Sequence, residues 1–438
     1  MQRELEEQNR TELAELDAGK LRLDNPAGRV RYEDILLDPD NIDLNYRYAE
    51  TQVAEGNLLG AAATLERILL VNPDLHRVRL FYALVLYRLD NWTEAARELE
   101  VLMKQDLPPD VRQETGAYIK KIRSRMRSTH FSLSQSAGLA LDSNRNAAPS
   151  SKKRIFADAL FDASAQDRRR SDTSFLNITQ AGVSHELGFQ AGHELFANFV
   201  HYQQEQTEVD SLDLRSFQYD LGGVYKTPWF HFIPSFYAGN IFLSRETFLR
   251  TQGGSFGLTR SFADRWTAFS QTRIERQNYS GISENPSGSE RSGRYVELEN
   301  GLEAALNRAV RLSASFVYGN KSAKEDFNAY ERLIVRSNLS VVLPRGHFVL
   351  NSFDLGRDIY DEPEIAVASR IRRENTLRYR ATYGSSLDGL LIGRLLPKGL
   401  GDITLTVSYE YFRALANITN YTYHNNKFQF LLTKRWEF

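Results

Sequence analysis

From residue 129 to its end this chain alternates, and a side-chain period of two admits only extended backbone. In DITLTVSYEYF, residues 402–412, Ile403, Leu405, Val407, Tyr409 and Tyr411 face one way, and Thr404, Thr406, Ser408 and Glu410 the other. RLSASFVY sets Leu312, Ala314, Phe316 and Tyr318 against Arg311, Ser313 and Ser315. TLRYRATY and LIVRSNLSVVL repeat the pattern, with Arg378, Arg380 and Arg336 on the polar faces. The last twelve residues, KFQFLLTKRWEF, place Phe428, Phe430, Leu432, Trp436 and Phe438 in one row that Lys434 interrupts. A soluble chain rarely ends a strand on a bulky aromatic, because chain ends fray.

A soluble sandwich also alternates. Three features favour a closed barrel in a membrane. About fifteen alternating segments follow one another after residue 129 with no helical pattern between them. They run to roughly 8–14 residues each, which spans the ~9–11 that a tilted strand needs to cross a bilayer. A closed barrel also leaves no edge, so a terminal Phe438 can pair and turn its ring toward lipid. Chain ends on one side of the membrane require an even strand number. Segments start near residues 130, 153, 173, 193, 214, 229, 246, 265, 292, 310, 330, 347, 371, 402 and 424, so one must drop out or merge. The expectation is fourteen strands, with sixteen as the other even number. GISENPSGSERSG, residues 281–293, reads as an extracellular loop. DGLLIGRLLPKGLG, residues 388–401, is apolar and reads as a segment over the mouth, in the lumen, or in a plain loop.

Before residue 129 the pattern is helical. Ala49, Ala61 and Leu65 recur 34 residues on as Ala83, Ala95 and Leu99; Gly56 is matched by Asp90 and Leu58 by Trp92. That period, with small residues where helices approach, is the tetratricopeptide signature. It predicts repeats at 42–75 and 76–109. A capping helix at 110–127 follows, with an apolar stripe of Ile119, Ile122 and Met126. Residues 1–41 add acidic helical sequence. The fold class is therefore α+β: a helical repeat domain, 1–128, followed by a barrel, 129–438. No stretch approaches the ~18 apolar residues of a spanning helix. MQRELEEQNR has no apolar core, so the expectation is that an export signal has been removed.

The order of repeats then barrel, with GLALDSNRNAAPS at 138–150 where the barrel begins, resembles the surface lipoprotein assembly modulators and the related type XI secretion proteins. The element that carries the resemblance is Asp142, Ser143, Asn144 and Asn146; the terminal aromatic is a general outer-membrane signal. The resemblance implies an outer-membrane translocon with its repeats in the periplasm. Its partners would be a surface lipoprotein or a small secreted haemophore-like β-protein, periplasmic chaperones, the barrel-assembly machinery, and outer-membrane lipid with lipopolysaccharide.

Motifs for chemistry are sparse. The chain has no Cys, which excludes disulfides, thiolate metal sites and cysteine nucleophiles. His185, His193 and His201 recur every eight residues, but GFQAG at 188–192 reads as a turn that breaks any shared face. GGSFGL at 253–258 lacks the lysine and strand–helix context of a phosphate loop. No carboxylates pair as acid and base, so we expect no enzyme, no cofactor, no metal and no nucleic-acid partner. Three classes remain: protein translocation, polysaccharide export and a passive pore. Polysaccharide exporters of this layout carry more repeats, and Arg311, Arg336, Arg378 and Arg380 in the lumen would oppose a cationic glycan.

Overall fold

The computed structural model describes residues 30–164, 168–188, 192–263, 265–283, 285–390 and 402–438. They part into two compact units between Arg127 and Ser128.

The first unit holds six helices among its described residues: α1 Tyr32–Leu37, α2 Ile42–Ala54, α3 Leu58–Val71, α4 His76–Arg88, α5 Trp92–Met103 and α6 Pro109–Arg125. α2–α3 and α4–α5 are helix hairpins built alike. Asn57 and Asn91, one period apart, cap α3 and α5 by accepting from the backbone N–H of Gly60 at 3.0 Å and of Glu94 at 3.5 Å. Gly56 (φ +81°) and Asp90 (φ +60°) take the left-handed turn before each cap, which glycine and aspartate tolerate best. At the hairpin starts, Asn45 Nδ2 donates to Pro39 O and Arg79 Nη2 to Pro73 O, each at 2.8 Å. Ala49, Ala61, Leu65, Ala83, Ala95 and Leu99 are all completely buried where the helices meet, and Trp92 packs against them. Tyr46 rests on Phe81 at 5.5 Å, and burial pushes its phenol up to about 12. On α6 the packed residues are Thr115, Ile119 and Ile122, whereas Met126 lies beyond the helix and is exposed. The expected stripe therefore starts a turn earlier than the sequence suggested. The acidic segment before residue 30 lies outside the described residues.

The second unit is a closed antiparallel barrel of fourteen strands. Its members are β1 Thr129–Asp142, β4 Asp172–Glu186, β5 Glu194–Gln206, β6 Leu214–Lys226, β7 His231–Leu243, β8 Glu246–Phe262, β9 Trp266–Tyr279, β10 Gly293–Ala305, β11 Val310–Lys321, β12 Tyr330–Leu343, β13 His347–Tyr360, β14 Arg373–Ser386, β15 Thr404–Ala416 and β16 Tyr423–Glu437. The segment near residue 153 is the one that drops out. It forms a separate hairpin, β2 Lys153–Phe156 with β3 Ala159–Asp162, which shares no ladder with the wall. It alternates because it too packs one face, but against loops.

β1 and β16 close the wall in continuous register from Ser132↔Glu437 to Asp142↔Lys427. Phe131 and Phe438 extend the seam: the N–H of Phe438 donates to Phe131 O at 2.9 Å, and the N–H of Phe131 to Phe438 O at 3.2 Å. The backbone of Phe438 is thus paired, while its ring is 57% exposed on the outer face. The same face of β16 carries Phe428, Phe430, Leu432 and Trp436 outward, and its ladder partners Leu405, Val407 and Tyr409 extend that apolar surface onto β15.

The rim that holds Thr129 and Glu437 has short links at 187–193, 227–230, 263–265, 306–309 and 344–346. The exception is 387–403, which contains the apolar DGLLIGRLLPKGLG. Its ends place it on this terminal rim, and 391–401 lie outside the described residues. The opposite rim carries the longer connections 143–171, 280–292 and 361–372.

Overpacking an alanine contact typically costs ~1–3 kcal/mol, and a unit of two hairpins has few contacts to absorb it. Ala61→Trp or Ala95→Trp should therefore make residues 30–127 protease-sensitive while the barrel keeps its heat-dependent gel shift. Protection equal to wild type in both variants would contradict this packing account.

Candidate functional site

A barrel works through its lumen and its rims. The inward face is fixed by register and by side chains that bond across strands. Arg336 of β12 reaches over β11 to Glu299 of β10 at 3.0 Å and also contacts Asp354 of β13 at 3.4 Å. Tyr237 of β7 reaches over β8 to Glu275 of β9 at 2.8 Å, passing Gly253, which leaves room for it.

Inward positions in the terminal half include small polar groups such as Ser134, Ser136, Ser255, Thr259, Ser408 and Thr433, together with Arg311 and Arg435. Toward the opposite rim the lining includes charged and aromatic groups. Arg332 forms a fork with Asp358, Nε to Oδ1 at 2.8 Å and Nη2 to Oδ2 at 2.6 Å. Tyr295 donates to Glu297 at 2.7 Å, and Arg380 Nε to Glu410 at 2.9 Å. Lys427 lies 3.8 Å from Asp142, and the Arg378 guanidinium lies 5.2 Å from the Phe412 ring. Arg311, Arg336, Arg378 and Arg380 all fall on inward register positions. They do not make a cationic wall, since Glu299, Asp354 and Glu410 neutralise two of them. Sequence reading missed the acids because each partner lies on another strand, 16 to 37 residues away in the case of Glu299.

The opposite rim holds a hydrogen-bonded knot. β1 ends on Asp142, and the chain then turns back onto the start of β16. Asn425 Nδ2 donates to Asp142 at 2.7 Å, and its Oδ1 accepts from Ser143 Oγ at 3.1 Å and from Asn144 N at 2.9 Å. Asn144, 3% exposed, donates to Ala148 O at 2.9 Å and His424 O at 3.1 Å and accepts from Ala148 N at 3.0 Å. Asn146 ties in Arg168 and Arg170. The element at 142–146 thus sits at the far end of the first strand, and its role there is to fix the 143–171 loop. Its partners His424, Asn425 and Asn426 stood in the sequence as a polar break at the start of an otherwise alternating strand.

From that knot the β2–β3 hairpin lies against two other loops. Asn420 mimics a neighbouring strand for Ile155, accepting from its N–H at 2.7 Å and donating to its carbonyl at 2.8 Å. Ala157 and Asp158, both left-handed, form the hairpin tip and bond Ala366 O and Val367 O at 3.0 and 3.1 Å. Ile155, Ala368 and Ile418 make a small apolar core. Tyr421 donates to Glu364 at 2.6 Å; burial first, then that carboxylate, push its phenol up to about 12. Three loops are thereby joined over the β13–β1 side of the rim.

The histidines do not meet. His185 bonds Thr129, His193 stacks on Tyr225 at 3.9 Å, and His201 stacks on Phe217 at 4.8 Å. Among the described residues no group of His, Asp or Glu is arranged to hold a metal. GGSFGL runs inside β8 as strand.

No protein-family model matches this chain, and no curated protein matches it. Solved structures do match. One is OpdO of Pseudomonas aeruginosa, 10% identical, covering 71% of this chain and 97% of that one at a TM-score of 0.35. A TodX monoaromatic hydrocarbon channel mutant is 9% identical, with 72% and 92% covered and a TM-score of 0.37. The outer membrane channel DcaP of Acinetobacter baumannii is 10% identical, with 70% and 98% covered and a TM-score of 0.34.

Asn144→Ala would leave the Ala148 and His424 groups without their partner, at a cost of roughly 1–3 kcal/mol. Protease cleavage within 143–171 should speed up while the barrel stays folded. An unchanged cleavage rate would contradict the anchoring role of Asn144.

Proposed function

We propose that this protein is an outer-membrane translocon that carries a specific protein, a surface lipoprotein or a small secreted haemophore-like β-protein, from periplasm to cell surface. The observation that carries the reading is the pairing of a closed barrel with a separate unit of 34-residue helix hairpins in one chain. The outward apolar rows suit lipid. Mostly short links on the terminal rim, 387–403 excepted, and the longer loops 143–171, 280–292 and 361–372 on the other suit a periplasmic and an external side. The helix hairpins are read as tetratricopeptide repeats in the periplasm, since such repeats commonly hold peptide segments. In this reading they recruit cargo or its chaperone, the barrel passes it, and no residue has a catalytic role. The resemblance at Asp142, Ser143, Asn144 and Asn146 supports the same family of exporters.

A second reading, polysaccharide export, is favoured by one observation. Tyr237–Glu275 and Tyr295–Glu297 set phenols beside carboxylates on the luminal face, a lining suited to sugar rings and hydroxyls.

The two units should fail differently. With an export signal supplied, deletion of residues 1–128 should leave cargo in the periplasm at normal barrel levels. Arg378→Glu with Arg380→Glu sets two more carboxylates beside Glu410 and should stall cargo that is already recruited. Export at the wild-type level after the deletion would overturn the recruitment role. Loss of a surface polysaccharide in the knockout, with every protein cargo unaffected, would favour the second reading.

A further inference from the structure

The outer face over β7 to β10 contains a hollow topped by unpartnered charge. Gly254 of β8 points outward with Phe236 of β7 and Ile274 of β9 as its ladder partners. Phe236 is 73% exposed and Ile274 51%, so the missing side chain between them leaves an apolar trough. The next outward row toward the loop-bearing rim is Gln252↔Arg276↔Arg294. These residues together line a cavity of about 820 Å³. Like charges directly opposite on a sheet destabilise it, and Arg276 and Arg294 are such a pair. Both are exposed, and among the described residues neither guanidinium has a hydrogen-bond or ion-pair partner. Elsewhere on the same rim Arg215 has one, Glu205 at 3.3 Å.

We propose that this hollow binds a phosphorylated, acylated lipid of the outer leaflet, with the phosphate between Arg276 and Arg294 and an acyl chain in the trough over Gly254. The proposal rests on the reading that the apolar outer face lies in a membrane. Residues directly opposite on adjacent strands bring their Cβ atoms to about 5 Å, so both guanidinia can converge on one phosphate. Arginine offers paired N–H donors that match phosphate oxygens, and the Gln252 amide supplies another donor. A bound phosphate would also relieve the repulsion between the two cations. The apolar trough directly below them favours a lipid over free phosphate, which would have no use for it.

The test uses the full chain purified in detergent and titrated with diphosphorylated lipid A, its dephosphorylated form and inorganic phosphate. Wild type should bind the phosphorylated lipid and hold it against inorganic phosphate at equal concentration. Arg276→Gln with Arg294→Gln should weaken that binding at least about tenfold, the scale of one lost charge-assisted contact. Gly254→Leu, which fills the trough and leaves both arginines, should weaken it as well. Arg357→Gln, outward on β13, should not. Equal affinity in wild type and the arginine variant, equal affinity for the dephosphorylated lipid, or displacement by equimolar phosphate would overturn the proposal. Fractionation of the protein away from the outer membrane would strike the location reading instead, because the titration is read on purified protein.

Discussion

Every part of this protein's barrel depends on one closure, the pairing of β1 with β16. Without it the wall would present two open edges whose N–H and C=O groups lack partners, a state that hydrocarbon, the setting proposed for this barrel, would not tolerate. The seam runs from Ser132↔Glu437 to Asp142↔Lys427 and is extended by the mutual bonds of Phe131 and Phe438. Phe438 is thereby part of the ladder. The terminal Phe is the point where backbone satisfaction and the outward apolar row coincide.

Closure also makes an interior, and within it cations are set against acids from other strands. Arg332, Arg336 and Arg380 each sit against a carboxylate on another strand. Buried or half-buried ions are tolerated when paired in this way, and removing one partner would strand the other. At the loop-bearing rim the ends of β1 and β16 hold the Asn144–Asn425 knot, beside the three joined loops.

Much of the wall was legible because period two is a strong local signal. Fourteen of the fifteen expected starts fall close to wall strands, and the one that failed, near residue 153, alternates for a different reason: Ile155 packs against Ala368 and Ile418. The buried alanines of the helical unit were legible from their 34-residue spacing. What stayed hidden is what depends on register. Glu299 and Arg336 are separated by a whole intervening strand, and Arg276 and Arg294 face each other only because β9 and β10 align as they do. Asn144 meets His424 some 280 residues later. Local patterns carry no information on such distances.

In the function proposed above, the chain forms a membrane barrel whose terminal rim faces the periplasm and whose loop-bearing rim faces outward. Since the chain has no Cys, single cysteines can be placed without background. Lys324→Cys lies in the 322–329 loop and Arg308→Cys in the 306–309 link, and both positions are exposed. A membrane-impermeant maleimide added to intact cells should label Lys324→Cys at once and Arg308→Cys only after the outer membrane is permeabilised. Labelling of Arg308→Cys but not Lys324→Cys on intact cells, or equal labelling of both, would contradict it.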